Sequence, residues 1–352
     1  MRILITGVGG PTPRSFAIAL KKYSKSNSYS LIGTDTNPLS IGLYQKELFD
    51  KTYVIPLASD SGYWNRVTQI IKENAVDLAV ILPELEVLEW SKRQVKESLP
   101  CKALIPEWSL AQVLVDKAKM TSILEKINLV PASVEFNRDE KNFSAILNVL
   151  PFPFWVRSTS GTSGLGSLKV ENEEALRNWI QINPNVNQFL ASEFLPGRNL
   201  ASKLLYWKGN LVRAACAERV TYIMAKVSPS GITGNTSFGR LLNEPGLVER
   251  AKKAMEFLFA HCQSTRHGFF TIDFKEDESG TPLITEINVR HVAFTQCFAA
   301  AGANFAEDTI RLLDGDPTFE LDFKMYEFEK DLIFLRDVDS NPILMKESKL
   351  LR

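Results

Sequence analysis

The sequence predicts an α/β chain in two main parts: a doubly wound parallel sheet over residues 1–108, then a larger α+β part over residues 109–315. Three observations carry this expectation. Short apolar strands alternate with helical spacing near the N-terminus, a long helical stretch begins at Ser109, and beyond it the pattern changes to strand-turn-strand. At 352 residues the chain can hold two or three domains and a large core.

In the first part, RILIT (2–6) reads as a strand ending at Gly7, Gly9 and Gly10, and Arg14 to Lys22 has helical spacing of Phe16, Ile18, Ala19 and Leu20. SLIGTD (30–35), TYVIP (52–56), VDLAVILP (76–83) and KALIP (102–106) supply further strands, with a helix over Tyr63 to Asn74. The alternation is Rossmann-like. The glycine turn with Asp35 downstream also fits a dinucleotide fold and hence an NAD-dependent oxidoreductase. However, the position of the third fingerprint glycine is Thr12, followed by Pro13. Ligands of open α/β sheets gather at the carboxyl ends of the strands, so the loop carrying Glu84 and Glu86 faces the expected crevice, and Glu86 is a candidate substrate contact.

Composition narrows the function. Lysine plus arginine equals aspartate plus glutamate, 41 against 41, so no global field favours nucleic acid or an anionic membrane, and small-molecule chemistry is expected. The 4 cysteines form no CxxC pair and suggest neither zinc nor disulfides. No run of about 18 apolar residues occurs, and the opening MRILITGVGG reads as strand and turn, so a cytoplasmic protein is expected.

The second part opens with SLAQVLVDKAKMTSILEKIN (109–128), which reads as one helix, and NLVPAS follows. In FPFWVRSTSGTSGLGSLKV (152–170) a strand ending at Arg157 enters a Ser/Thr/Gly loop, 158–166. Glycines such as Gly161 and Gly164 let backbone N–H groups turn inward around anionic oxygens, with Ser158 and Ser160 among the added hydroxyl donors. NLASKLLYW and NLVRAACAERV read as a hairpin joined at Lys208-Gly209-Asn210. Arg219 and Arg240, on strands leading onward, are candidates for binding an anionic substrate.

The most informative stretch is GFFTIDFKEDESGTPLITEINVRH (268–291), two strands about a turn at Ser279 and Gly280. Alternation places Glu286, Asn288 and Arg290 on one face, and the turn sets Asp273 opposite Glu286. Carboxylate and amide oxygens suit a hard cation such as Mg²⁺, and the arginine adds a planar phosphate clamp. His291 adjoins this face and is a further candidate substrate contact. Pro245 to His261 and Phe294 to Ala301 read as helices. The alternating FELDFKMYEF suggests a small C-terminal β appendage over 316–352.

Four motifs in this order, Asp116-Lys117, Arg157 with its glycine loop, Glu193 to Gly197, and Asp273 with Glu286-Ile287-Asn288, resemble those of ATP-grasp enzymes. Arginine before the loop resembles the carbamoyl phosphate synthase form, although that enzyme's large chain carries two grasp modules and this chain one. The resemblance implies that Asp273, Glu286 and Asn288 hold Mg²⁺, with Mn²⁺ as a substitute, and that Arg290 and Arg157 act on the transferring phosphoryl group. It further implies that Lys117 reaches the ATP phosphates and that Glu193, Phe194 and Leu195 form the strand beside adenine and ribose. Asn199 stands where relatives often have a second acid. The implied activity is ADP-forming ligation of a small-molecule carboxylate to an amine, with a homodimer as the candidate assembly; phosphorylation of bicarbonate or carbamate is the alternative within the class.

Overall fold

The computed structural model describes residues 1–25, 29–140, 142–160, 166–338, 343–346 and 348. Strands β1 (Arg2–Thr6), β2 (Ser30–Asp35), β3 (Lys51–Val54), β4 (Leu78–Val80) and β5 (Lys102–Ala103) form an all-parallel sheet in the order β3-β2-β1-β4-β5. Helices α1 (Pro11–Tyr23), α2 (Tyr63–Glu73) and α3 (Glu84–Lys96) connect them. Ile3 and Ile5 feed one apolar cluster and Leu4 another, so the sheet is buried on both faces, which is why these strands read as continuous apolar runs. The order reverses at β1, so the crevice lies beyond β1 and β4, where the loops of Gly7 to Gly10 and Pro83 to Glu84 begin.

The glycine turn is filled by its own neighbours. Asp35 accepts from the N–H of Gly9 at 2.7 Å, the N–H of Asn37 at 2.9 Å and the hydroxyl of Ser40 at 2.7 Å. Its carboxylate is therefore committed within the loop. A Cβ on Gly9 would sit 2.3 Å from Ser40 Oγ, and Pro11 and Pro13 remove two N–H donors from the start of α1. These contacts weigh against the dinucleotide reading.

The expected single helix over 109–128 is two, α4 (Trp108–Val115) and α5 (Lys117–Glu125). Asp116 between them is extended, at φ −95° and ψ 103°, and its carboxylate accepts from the N–H groups of Ala118 and Lys119 at 3.1 Å each. An aspartate that caps a new helix stops the old one. Next, β6 (Ser133–Asn137), α6 (Ser144–Leu147), β7 (Phe154–Ser158), β8 (Leu168–Val170), α7 (Glu173–Ile182) and β9 (Gln188–Glu193) build an antiparallel sheet in the order β6-β9-β7-β8. Phe154, Val156, Phe189 and Ala191 pack on one face with Leu176 and Ile180 of α7. The alternate residues Trp155, Arg157 and Ser192 are left on the other.

The third sheet comprises β10 (Asn199–Trp207), β11 (Asn210–Tyr222), β12 (Thr236–Leu242), β13 (Gly268–Glu276), β14 (Pro282–Asn288), β15 (Lys324–Met325), β16 (Leu332–Leu335) and β17 (Ile343–Lys346). Helix α8 (Pro245–His261) covers one face; α9 (Thr295–Ala300) and α10 (Phe305–Asp314) lie on the other side. The C-terminal strands extend this sheet instead of forming a separate appendage: β16 pairs with β12, β17 with β16, and β15 with β11. Phe334 is fully buried and stacks on Phe294 at 5.5 Å, so apolar burial draws the segment in. Phe334→Ala should lower stability by about 3–5 kcal/mol in urea unfolding; a loss below about 1 kcal/mol would show that the strand lies outside the core.

Candidate active site

Between the face of the small sheet that carries Trp155 and Arg157 and the face of the large sheet that carries Asp273 lies a cavity of about 550 Å³. The β13–β14 hairpin supplies its floor. Asp273 pairs directly with Glu286, the register expected from the turn position. Register then shifts, Phe274 pairing with Ile284, so Thr285 is an extra residue. That bulge resolves an oddity of the sequence. Ile284 and Ile287, three apart, both reach the apolar face against α8 because the bulge absorbs one residue.

The carboxylates are met by cations from separate elements. Lys117, on the first turn of α5, puts Nζ 3.4 Å from Glu286 Oε1. Its backbone N–H donates to Thr159 O at 2.9 Å, tying this helix to the loop after β7. Arg219 Nη1 lies 3.1 Å from Asp273 Oδ1, and Asn288 Nδ2 donates to Asp273 Oδ2 at 3.2 Å. Burial alone would raise the Glu286 carboxyl, but Lys117, Arg157, Arg290 and Arg219 together hold it below the usual range. Burial prevails at Asp273, whose carboxyl is raised despite Arg219. Burial lowers Arg157, with Glu286 opposing, and among the described residues neither Arg157 Nε nor Arg290 Nε has a hydrogen-bond partner.

Lys117, Arg157, Ser158, Glu193, Phe194, Leu195, Arg219, Asp273 and Glu286 all line the cavity. Asn199, in place of the acid, lines it too. Ser160 is exposed and donates its N–H to Ser158 Oγ at 3.4 Å. Gly161 and Gly164 lie outside the described residues. Arg240 does not line the cavity; its Nη1 pairs with Glu218 Oε2 at 3.0 Å.

Two candidate substrate contacts point elsewhere. Glu86 is 4% exposed and accepts from the Tyr63 hydroxyl at 2.6 Å, and Trp90 Nε1 in turn donates to that hydroxyl at 2.9 Å. Two residues apart on a helix are on nearly opposite sides, so Glu84 is turned away from Tyr63 and lies within electrostatic reach of Arg290, Lys117 and Glu286. Burial raises its carboxyl, while Arg290 and Lys117 lower it and Glu286 raises it. His291 stacks on Phe269 at 3.6 Å between ring centres and meets the edge of Phe16 at 4.9 Å. That interior position pushes its pKa well below the usual value.

Sequence reasoning missed Lys169, Tyr222 and Trp155, all of which line the cavity. Alternation from Arg157 would have found Trp155, and Trp155 pairs with Lys169 across β7–β8. Lys169 Nζ sits 4.6 Å from the Phe194 ring centre. Lys203, wholly buried on β10 against Phe294 and Phe298, was also missed; burial pulls its pKa down to about 7.

Among the described residues no group of three or more His, Cys, Asp and Glu side chains is placed to hold a metal. The facing carboxylates of Asp273 and Glu286 nevertheless offer hard oxygen donors of the kind that suit a small divalent cation which keeps waters and takes further ligands from phosphate, while the Asn288 amide turns its N–H to Asp273. No helix of the described residues is long and apolar enough to cross a membrane.

No protein-family model matches the chain, and no curated protein does. Solved structures do. N5-carboxyaminoimidazole synthetase from Staphylococcus aureus, complexed with ADP, superposes with a TM-score of 0.71 at 15% identity, over 95% of this chain and 81% of that one. The biotin carboxylase domain of Hydrogenobacter thermophilus 2-oxoglutarate carboxylase, in complex with MgADP, ADP and bicarbonate, gives 0.69 at 15%, over 95% and 74%. L-amino acid ligase from Bacillus licheniformis gives 0.64 at 16%, over 95% and 78%. These neighbours are ATP-grasp enzymes. The chain therefore has the ATP-grasp fold, preceded by a parallel Rossmann-like unit.

The interior placement of Glu86 has a pH signature. Burial first, then Asp35, raises its carboxyl from 4.5 to about 7. A carboxyl raised in the folded state contributes stability below its unfolded value and loses it as pH rises through the folded one, here between 4.5 and about 7. Glu86→Gln keeps an acceptor for Tyr63 and removes the charge. The variant should gain stability over wild type as pH climbs from 5 to 8, by up to about 3 kcal/mol. Equal unfolding midpoints for the two proteins at both pH values would place the carboxylate in solvent.

Proposed function

We propose that the chain is an ATP-dependent, ADP-forming ligase that activates a carboxylate as an acyl phosphate for attack by an amine. The observation that carries this reading is the facing pair Asp273 and Glu286, lining one cavity with Lys117, Arg157 and Arg219. Paired acids surrounded by more cations than they neutralise suit a metal-bound polyphosphate, the most highly charged of the common small-molecule substrates. The neighbours complexed with ADP and MgADP support the nucleotide assignment.

In this reading adenine lies beside Phe194 and Leu195, with Lys169 over the Phe194 ring and Glu193 toward the ribose. Asp273, Glu286 and Asn288 would hold Mg²⁺, which would supply charge neutralisation for the nucleotide phosphates. Lys117 and Arg157 bind phosphate oxygens and offset the charge that moves with the phosphoryl group. Arg290, beside Glu84 and Glu286, orients the substrate carboxylate so that its oxygen attacks the γ-phosphorus as the bond to ADP breaks. The amine then attacks the acyl carbon, phosphate leaves with the bonding electron pair, and the amine gives up a proton. Cytoplasmic location and a homodimer belong to the same proposal.

Arg157 before the loop, together with the bicarbonate bound in one neighbour, favours a second reading in which bicarbonate or carbamate is phosphorylated. Hydroxylamine trapping separates the two, because a stable carboxylate leaves a hydroxamate that keeps its side chain. In a screen of carboxylates and amines for ADP release, Glu286→Gln should lower kcat by at least about a hundredfold, a loss in the range of removing one such electrostatic group, with the folded spectrum intact. Mg-ATP should raise the wild-type melting temperature by several degrees; a shift with NAD and none with Mg-ATP would overturn the reading.

A further inference from the structure

A second cavity, of about 990 Å³, lies where the N-terminal parallel sheet meets the large sheet, and among the described residues it shares no lining residue with the active site. The end of α3 and β5 form one wall; the β10–β11 turn, the residue before β13 and the end of α10 form the other. Lysines come from both sides, Lys96 and Lys102 from the first and Lys208 from the second. All three are exposed, and among the described residues no ion pair joins any of them to an acid. Glu97, the acid that lines the cavity, is held by Arg93 at 2.6 Å. The chain as a whole is neutral, so this positive excess is local, and it favours an anion.

Hydrogen bonds fix the second wall. The N–H of Gly209 donates to Arg266 O at 2.9 Å and that of Lys208 to His267 Nδ1 at 3.3 Å, so the turn and the histidine move as one. With Nδ1 accepting, the neutral imidazole carries its proton on Nε2. Burial pushes this ring down to about 4, Lys208 adding to the shift and Glu107 opposing it, so at neutral pH it is an uncharged donor. Trp207 packs on His267 at 5.0 Å between ring centres and holds Lys208 Nζ 5.1 Å from its own, which locates the ammonium and leaves N–H donors to other partners. The type of cation narrows the ligand. Among the described residues no arginine lines the cavity, and lysines act as point charges that suit a phosphate, where the planar fork of arginine matches a carboxylate. The cavity is far larger than a phosphate alone, and Leu99, Leu312 and Leu313 give it an apolar part.

We propose that this cavity binds a phosphate ester of a small organic molecule, with the phosphate between Lys102, Lys208 and the His267 Nε2–H and the organic part against Leu99, Leu312 and Leu313. A phosphate held by lysines of both walls bridges the N-terminal unit and the large sheet. The site is separate from the proposed nucleotide site and does not depend on the ligase reading.

The full chain is titrated calorimetrically with phenyl phosphate and, separately, with inorganic phosphate, for wild type, Lys102→Gln, Lys208→Gln and Lys117→Gln. Lys102 and Lys208 are exposed, so their substitution leaves the core intact; Lys117 belongs to the active-site cavity and serves as the control. Phenyl phosphate should bind wild type more tightly than inorganic phosphate does. Lys102→Gln and Lys208→Gln should each weaken it by at least about fivefold, the loss of one screened charge-assisted contact, and Lys117→Gln by less than about twofold. No binding of phenyl phosphate to wild type at millimolar concentration, or affinity unchanged in either Lys102→Gln or Lys208→Gln, would overturn the site. Inorganic phosphate binding as tightly as the ester would overturn the organic part of the assignment, and a larger loss in Lys117→Gln would move the probe to the active-site cavity and overturn the whole.

Discussion

Two carboxylates stand opposite each other on adjacent strands, Asp273 buried and Glu286 half-buried, and much of the architecture answers that constraint. Like charges so close cannot both stay ionised without compensation. Compensation comes from three directions: Lys117 from the start of α5, Arg157 from the small sheet, and Arg219 from β11. Each of those elements is held where its cation can act. Asp116 breaks a helix so that Lys117 falls on a first turn, and the bulge at Thr285 turns Glu286 to the polar side while keeping Ile284 and Ile287 in the core.

The layers divide the labour. The small sheet packs its apolar face on α7 and leaves Trp155, Arg157 and Ser192 to the cavity. The large sheet buries one face under α8; on the other, α9 covers the part nearest the N-terminal unit and leaves the Asp273 end open. Contact between α1 and α9 then brings the parallel sheet's crevice up to that open end. A site assembled from three layers can change its charge balance when any one of them moves.

Much of this was legible in the sequence. Alternating strands and helices announced the parallel sheet, and the strand order follows the doubly wound rule. The hairpin's turn residues set the register of Asp273 against Glu286 because side chains in paired strands have a fixed period of two. Where the period of a helix mattered, the sequence left the choice open: Glu84 and Glu86 are both plausible substrate contacts, and only the orientation of α3 sends Glu86 inward to Tyr63. His291 likewise follows the hairpin directly, yet its ring is drawn between Phe269 and Phe16.

By itself the sequence determined the local facts: which segments are strands, where the turns fall, and which acids share a face. Those depend on neighbours a few residues apart. Tertiary structure decided everything that needs long-range approach. It joined the C-terminal strands to the large sheet through Phe334 and Phe294, and it packed α1 on α9 across the chain. The physical reason is that apolar burial and charge compensation act through space, between groups whose separation along the chain carries no signal of their contact.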